Sequence, residues 1–384
     1  MLKIGILTYH RSVNYGAFLQ SYALQKYVQK LMGTSVQVEL IDYHSRRAYE
    51  SYIGAFSGNN NWNWQKFYQY VQFQRCVNVL PKSKNKLVTD DLKEVQNFLK
   101  KEKYDLIIVG SDEIWKADGM RGFPTAYWLN FDLGDTIKVS YAASSRNRIE
   151  NLKEVQKEYM QEALQKFSYI GVRDKMTGCL VENLLQSKKA CLNCDPTFLY
   201  SFGYNKEEYR KIFYRKYHIK NDKKLLGIML PDEQLCKDLK QKYSDRYVIV
   251  SLLDALPSAD YSLLGLTPFE WVKTIGILDM LVTNRFHGTV FAIKNNVSFL
   301  SVDDYDEIDD SKIYDLLKRC NLTKHYLPYQ KTKTAKKRAE VVNRVDEILQ
   351  QSECASFKEA VKEEKQRAKS FAEYMNQMGG KKVE

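Results

Sequence analysis

The chain has 384 residues, a length that predicts two domains plus extensions because it exceeds what one ordinary hydrophobic core supports. No apolar run approaches the ~20 residues that span a bilayer, and the first residues pass into a strand without resembling a signal, so we expect a cytoplasmic protein. The formal net charge of +12 indicates anionic partners without choosing among nucleotide-linked sugars, polyprenyl diphosphates at a membrane surface and nucleic acid.

The first half of the chain alternates predicted strands with predicted helices. Strands are expected at residues 3–9, 36–43, 104–112, 137–143 and 169–172, and helices at 14–31, 90–101 and 152–167. Residues 44 to about 81 are rich in aromatic and Asn side chains and have no clear period, which predicts a long insertion or lid. The alternation itself predicts a doubly wound α/β domain.

The second half repeats the alternation and predicts a second domain. Its strands are expected at residues 225–230, 247–252, 278–282 and 297–302. The predicted fold class is therefore α/β, with two Rossmann-like doubly wound domains at residues 1–200 and 201–328. Residues 329–384 predict a charged helical extension. Its apolar face either packs across the domains, which we favour, or lies on an anionic membrane.

Seven cysteines are scattered along the chain, which favours a reducing compartment over a disulfide framework. The one close pair is Cys191 and Cys194, and this spacing is shared by redox sites and by half of a zinc site. No second pair of Cys or His residues at ligand spacing completes a tetrahedral shell. We therefore interpret the pair as structural and predict no metal site.

The segment Thr283–Thr289 carries the strongest functional signal, because Arg285 and His287 lie between an apolar run and a predicted helix. A turn at the carboxyl end of a strand is where open α/β sheets bind ligands. An Arg side chain offers a planar fork to phosphate or carboxylate, His transfers protons near neutral pH, and helix amides favour anions. The pattern predicts an anion-handling site, with a simple polar turn capped by His287 as the alternative.

Several further motifs occur in a fixed order along the chain. They are Gly5–Tyr9, Asn14–Gln20, Gly110–Trp115, Ser140–Ser144, Val172–Asp174, Asp195–Thr197 and Thr283–Thr289. They cover roughly residues 3 to 302, and their specificity lies in the order of the set. Together they resemble the polysaccharide pyruvyl transferase family.

This resemblance implies a fold similar to the two-domain glycosyltransferase B architecture, with acceptor and donor sides in the N- and C-terminal domains. It implies transfer of pyruvate from phosphoenolpyruvate to a sugar hydroxyl pair as a ketal, in cell-surface polysaccharide synthesis and without a cofactor. The expected acceptor is a polyprenyl-diphosphate-linked or nucleotide-linked sugar. Peripheral association with the inner face of the membrane stays open.

Phosphoenolpyruvate carries a phosphate and a carboxylate, so its site needs at least two cationic contacts. Arg173 and Arg285 lie on the loops best placed to supply them, and the resemblance points to the same loops. Pyruvyl transfer also requires a proton on the methylene carbon. His287 is the best acid or base for that step.

Acceptor contacts are expected in the N-terminal domain. Asp112 is a second catalytic candidate, since it could deprotonate an acceptor hydroxyl, and Glu113 could orient one. Asn14 and Gly16 open the first predicted helix, where backbone amides could meet an acceptor phosphate. For Asp112 and Asn14 the alternative is a capping role alone.

A second function class stays open, namely a glycosyltransferase that uses a nucleotide sugar in the same interdomain cleft. It would need an acidic group over the ribose and a diphosphate grip in the C-terminal domain, and neither is evident in the sequence. Nucleic-acid binding is disfavoured, because no helix-turn-helix, zinc-finger or RNA-binding signature appears and the basic residues are dispersed.

Overall fold

The computed structural model describes residues 2–57, 62–187, 189–303, 308–329, 334–350 and 354–381. The chain forms two compact units. The first unit comprises Met1–Tyr200 together with Glu364–Glu384, and the second comprises Ser201–Glu363.

The first unit is a parallel sheet with helices before and after its strands. Its strands are β1 (Lys3–Leu7), β2 (Gln37–Leu40), β3 (Tyr43–His44), β4 (Leu87–Val88), β5 (Leu106–Asp112), β6 (Ile137–Ala143), β7 (Tyr169–Val172) and β8 (Cys191–Leu192). Its helices before the boundary are α1 (Tyr15–Met32), α2 (Arg46–Ser57), α3 (Trp64–Asn78), α4 (Leu92–Glu102), α5 (Glu154–Gln165) and α6 (Lys175–Leu185). The six-stranded sheet has the order β2-β1-β5-β6-β7-β8, and β3 pairs with β4 in a separate small sheet.

The order of the first sheet reverses at β1 and β5. From β1 the chain crosses to β2 on one side, and it later returns to place β5 on the other side of β1. Apolar residues fill both strands because helices cover both faces of a parallel sheet. Gly5 in β1 is required by this packing, since a Cβ there would lie 2.7 Å from Ile41 Cδ1. Open α/β sheets bind ligands at such a switch point.

The second unit repeats this design. Its strands are β9 (Lys224–Met229), β10 (Tyr247–Ser251), β11 (Tyr261–Ser262), β12 (Met280–Thr283), β13 (Ser298–Asp303) and β14 (Tyr326–Pro328). Its helices are α7 (Lys206–Lys216), α8 (Glu233–Tyr243), α9 (Pro268–Gly276), α10 (Phe286–Asn295), α11 (Lys312–Arg319) and α12 (Ala335–Gln350). All pairs in the order β11-β10-β9-β12-β13-β14 are parallel, so the switch point lies between β9 and β12.

The segment predicted as an aperiodic insertion contains two helices, α2 and α3, with residues 58–61 outside the described part. The sequence predicted an insertion or lid here but did not identify these two helices. Aromatic residues form much of the apolar surface of this pair, and Phe56 packs against Trp62, Phe67 and Tyr70. The usual aliphatic spacing is therefore missing from the sequence, although the segment is helical.

The C-terminal tail is helical, as the sequence predicts. α12 contributes Val341, Val345 and Ile348 to the core of the second unit. α13 (Cys354–Gln366) follows, and α14 (Lys369–Lys381) belongs to the first unit. None of the helices in the described ranges is long and apolar enough to cross a membrane.

Candidate functional site

The turn after β12 lies at the switch point of the second sheet. The backbone N–H of Arg285 donates to Thr283 Oγ1 at 3.0 Å, and the N–H of Asn284 donates to the carbonyl of Met229 at 3.3 Å. The second bond ties the turn to the carboxyl end of β9. Arg285 and His287 are therefore held where the two central strands end.

Arg285 is the N-cap residue of α10, and its side chain makes no capping hydrogen bond. The side chain is exposed, and no ion pair or hydrogen bond holds its guanidinium within the described ranges. A buried guanidinium without a partner would be costly, but an exposed one is hydrated and can exchange water for an anion. The backbone N–H groups at the start of α10 add to the attraction.

His287 lies in the first turn of α10 and is 9% exposed. Gly288 brings this turn close to the sheet, because a Cβ on Gly288 would lie 2.5 Å from Thr283 Oγ1 and 3.1 Å from Met229 Sδ. Thr289 fixes the helix further through a 2.7 Å hydrogen bond between its hydroxyl and that of Ser301. His287 thus lies in a helix turn packed closely on the sheet, two residues after the exposed Arg285.

Arg173 has very different surroundings at the carboxyl end of β7. It is 1% exposed, its Nη1 donates to Asp195 Oδ2 at 3.1 Å, and its Nη2 lies 3.7 Å from Asp112 Oδ1. Burial alone would lower the pKa of Arg173, but the carboxylates of Asp112 and Asp195 outweigh it and the pKa is raised. The guanidinium is therefore fixed in place by these two carboxylates.

Asp112 ends β5 with a positive φ of 85°, an uncommon conformation for a residue other than Gly or Asn. Its Oδ1 accepts the backbone N–H of Glu113 at 2.8 Å, and its own carbonyl accepts the N–H groups of Ile114 and Ser144. Glu113 faces Arg146 at 3.8 Å. The predicted acceptor carboxylates thus lie on one loop, held by backbone bonds and by neighbouring arginines.

Asn14 is the N-cap of α1, and its side chain accepts the backbone N–H of Ala17 at 3.1 Å. The capping role considered from the sequence is therefore present. Gly16 lies buried in the first turn of the same helix. Both residues follow the carboxyl end of β1, which is the edge of the sheet that also carries Asp112 and Arg173.

The predicted site residues thus fall into two groups. Arg285 and His287 share one turn of the second unit, whereas the other five lie at the carboxyl edge of the first sheet. The sequence prediction omitted a cluster of charged groups on that same edge, among them Arg11 and Arg121. The available signal was the position of both residues in the segments that follow two predicted strands.

Two parallel sheets, each with a point where the strand order reverses, define the glycosyltransferase B class of fold. The chain is similar to UDP-GlcNAc 2-epimerase from Neisseria meningitidis bound to UDP-GlcNAc, at 9% identity and TM-score 0.56, covering 97% of this chain and 99% of the other. It is also similar to S. aureus MnaA in a co-structure with UDP, at 12% identity and TM-score 0.54, covering 93% and 94%. The Methanocaldococcus jannaschii UDP-GlcNAc 2-epimerase in complex with UDP-GlcNAc and UDP gives 12% identity and TM-score 0.51, covering 94% and 98%. At these identities the likeness shows the fold alone.

The chain belongs to the polysaccharide pyruvyl transferase family, whose model matches residues 14–306. That range includes all seven predicted site residues, from Asn14 to His287. The resemblance noted in the sequence is thereby confirmed. No curated protein is similar enough in sequence to count as a match.

Proposed function

We propose that this protein transfers pyruvate from phosphoenolpyruvate to two hydroxyls of a sugar as a ketal, in cell-surface polysaccharide synthesis. The observation that carries the proposal is the turn after β12. It presents the exposed guanidinium of Arg285 beside His287 at the start of a helix, in a chain of the pyruvyl transferase family. These groups match what a dianionic enol phosphate requires.

Arg285 and the N–H groups of α10 would bind the donor. A guanidinium fork takes two oxygens of one phosphate or carboxylate, and the helix start favours the remaining negative charge. As the C–O bond to phosphate breaks, negative charge accumulates on the departing group. A fixed cation and oriented amides stabilise that charge without further reorganisation.

His287 would supply the proton that starts the reaction. Protonation of the methylene carbon makes the neighbouring carbon oxocarbenium-like, and one sugar hydroxyl then attacks it. Loss of inorganic phosphate lets the second hydroxyl attack the same carbon and close the ketal ring. Of the two hydroxyl protons released, one replaces the proton used on carbon and the other leaves with phosphate.

Asp112 would accept a proton from an acceptor hydroxyl, with Glu113 orienting the sugar and Asn14 and Gly16 placing helix amides near an acceptor phosphate. Arg173 lies 3.7 Å from Asp112 and donates to Asp195 at 3.1 Å, so its guanidinium is already buried between two carboxylates. As a donor contact it would have to exchange one of these partners for phosphoenolpyruvate. Arg285 needs no such exchange, so we assign it the larger share of donor affinity.

Isothermal calorimetry tests the proposal. Wild-type protein is titrated with phosphoenolpyruvate and with uridine and guanosine diphosphate sugars, beside Arg285→Gln and the control Arg246→Gln. Arg246 is another exposed arginine of the second unit, and it forms an ion pair with the adjacent Asp245. We expect wild type to bind phosphoenolpyruvate saturably. In Arg285→Gln the affinity should fall about 10- to 100-fold because one charge-assisted contact is lost, and in the control it should be unchanged.

Two results would count against pyruvyl transfer. Equal phosphoenolpyruvate affinity in wild type and Arg285→Gln would remove Arg285 from the donor site. Binding of a nucleotide sugar but not of phosphoenolpyruvate would favour the glycosyltransferase alternative.

A further inference from the structure

The switch point of the first sheet, between β1 and β5, is bridged by side chains from the two loops that follow these strands. The guanidinium carbon of Arg121, on the loop after β5, lies 3.6 Å from the ring centre of Tyr9, on the loop after β1. Arg121 Nη2 also donates to Ser12 Oγ at 3.0 Å, two residues before the N-cap of α1. Arg121 is thus fixed at the edge of the sheet where ligands bind.

Other cations surround this position. Arg11 is buried, and its Nη2 donates a hydrogen bond to Asp42 Oδ2 at 2.7 Å. Lys86 lies 5.7 Å from the ring centre of Tyr49. Arg47 approaches the residue after Arg121 so closely that a Cβ on Gly122 would lie 1.9 Å from Arg47 Nη1. We call Arg11, Arg47, Lys86 and Arg121 the switch-point cation cluster.

The cluster carries more positive than negative charge. Asp42 pairs with Arg11, and Asp90 lies 4.0 Å from Arg47. Arg121 and Lys86 have no carboxylate within 4 Å among the residues that the structure describes. Asp112 also acts on Arg121 electrostatically, but it lies 3.7 Å from Arg173. Two of the four cations therefore lack an ion-pair partner in the described ranges.

Two buried nitrogen atoms in this neighbourhood also lack hydrogen-bond partners in the described part of the chain, Arg121 Nε and His44 Nε2. His44 is 5% exposed, and its ring stacks on Tyr52 at 6.0 Å. Burial, followed by the nearby charges of Arg121, His10, Arg11 and Lys86, lowers the pKa of His44 to about 3, so the ring is neutral. Unpaired buried polar atoms are costly unless a ligand or water completes them.

We propose that the switch-point cation cluster binds the diphosphate group of the sugar acceptor, with Arg121 as its principal contact and His44 Nε2 as a further hydrogen-bonding partner. The inference rests on the proposed function, which requires an acceptor in this unit. A diphosphate offers two linked anionic groups, which suits two cations without carboxylate partners better than a single carboxylate does. The exposed side chains of Arg47 and Lys86 at the rim leave the cluster open to solvent.

The acceptor diphosphate could belong to a nucleoside diphosphate or to an isoprenyl diphosphate, and the recognition chemistry is the same for both. Inorganic pyrophosphate is therefore the first probe, followed by uridine diphosphate and by farnesyl diphosphate as a water-soluble isoprenyl diphosphate. Whichever of these two compounds binds more tightly than pyrophosphate identifies the kind of acceptor, because its uridine or isoprenyl part then makes contacts beyond the shared diphosphate.

The test is calorimetry on the full chain with inorganic pyrophosphate, comparing wild type with Arg121→Gln, Lys86→Gln and Arg285→Gln. Arg121→Gln should weaken pyrophosphate binding about 10- to 100-fold while leaving phosphoenolpyruvate affinity within twofold. Lys86→Gln should weaken pyrophosphate binding by a smaller factor, and since Lys86 is exposed this variant should fold normally. Arg285→Gln should weaken phosphoenolpyruvate binding about 10- to 100-fold and leave pyrophosphate affinity unchanged.

Three outcomes would overturn the proposal: no pyrophosphate binding to wild type, unchanged affinity in both Arg121→Gln and Lys86→Gln, or loss of pyrophosphate binding in Arg285→Gln alone. These results differ from a failure of the proposed function. If phosphoenolpyruvate does not bind but pyrophosphate binds through Arg121, pyruvyl transfer fails and the anion site stands.

Discussion

The guanidinium groups of Arg173 and Arg285 lie in opposite electrostatic surroundings, although both follow a parallel strand. Arg173 is buried against Asp195 and Asp112, while Arg285 is exposed at the start of α10. A buried arginine among carboxylates contributes to the folded state and to the position of its partners. An exposed arginine at a helix start is available to bind an anion.

This contrast predicts that Arg173→Met destabilises the protein far more than Arg285→Met. The change leaves the buried carboxylate of Asp195 without its cation, which costs about 3–5 kcal/mol of unfolding free energy. Urea denaturation followed by circular dichroism measures both variants, and Arg285→Met should stay within about 0.5 kcal/mol of wild type. A loss below about 1 kcal/mol in Arg173→Met would show that the pair is dispensable to the fold.

His287 should matter to turnover more than to donor affinity. We expect His287→Asn to lower kcat about 10²–10⁴-fold, because the proton donor is lost, while the dissociation constant for phosphoenolpyruvate changes little. Single-turnover kinetics with a verified acceptor give the first quantity and calorimetry gives the second. Full turnover in a folded His287→Asn variant would assign proton transfer to another group.

His44 should make the first unit sensitive to acid. Its pKa is lowered to about 3 in the folded state, by burial first and then by nearby cations, whereas an unfolded His has a pKa of about 6.5. Between these values the unfolded state binds more protons, so stability falls as the pH falls through this window.

In a comparison of pH 7 with pH 5, wild type should therefore lose about 2 kcal/mol more than His44→Gln, since about 1.5 pH units lie below the unfolded pKa. Urea denaturation at both values gives the double difference. The buried His10 and His325 also have lowered pKa values, so His44→Gln should keep part of the acid sensitivity. An equal loss in wild type and variant would contradict the assignment.

At the scale of elements, both proposed donor-site residues lie at the start of α10, and Gly288 sets the distance of this helix from β12. We expect Gly288→Ala to push the helix away from Thr283 and Met229, at a cost of about 1–3 kcal/mol for overpacking, and to weaken phosphoenolpyruvate binding. The matched control is Gly54→Ala in α2, where a Cβ would meet nothing within 4 Å. That change should stabilise the protein by about 0.5–1 kcal/mol.

Thermal unfolding and calorimetry on the two Gly variants separate the outcomes. Unchanged donor affinity in Gly288→Ala would mean that the turn tolerates displacement of α10. A loss in Gly54→Ala as well would point to a general effect of glycine replacement.

The elements that the sequence predicted well are those with a strong local pattern. The strand predictions at residues 137–143 and 169–172 match β6 and β7 residue for residue, because each is a compact run of apolar or small residues between turns. The α2 and α3 helices were missed because aromatic and Gln residues replace the aliphatic period there. Both helices are present in the structure, but the aliphatic period by which a helix is predicted is missing from their sequence.

At the scale of the whole molecule, the switch-point cation cluster shows what local patterns cannot reveal. Arg121 and Ser12 are 109 residues apart in sequence, and only the order of the strands brings them together. Arg285 and His287, by contrast, could be predicted to lie together because two residues and one helix start make up their turn. The same limit applies to Arg173, whose partner Asp195 follows a different strand.

The last helix shows how distant segments of the chain complete one core. α14 belongs to the first unit, where Phe371 is fully buried, with its ring centre 4.6 Å from that of Tyr141 and 5.6 Å from that of Tyr169. Tyr169 Oη also lies 2.9 Å from Ser370 Oγ. The apolar face of α14 is therefore occupied by its own unit.

Phe371→Ala should consequently reduce the unfolding free energy by about 3–5 kcal/mol, the usual cost of emptying a buried Phe site. The control Lys369→Ala removes an exposed side chain of the same helix and should change it by less than about 0.5 kcal/mol. Urea denaturation gives both values, and sedimentation with anionic vesicles tests the membrane alternative for the tail. If Phe371→Ala left stability unchanged but abolished vesicle binding, Phe371 would serve a membrane surface, and the packing of α14 on the first sheet would not contribute to folding.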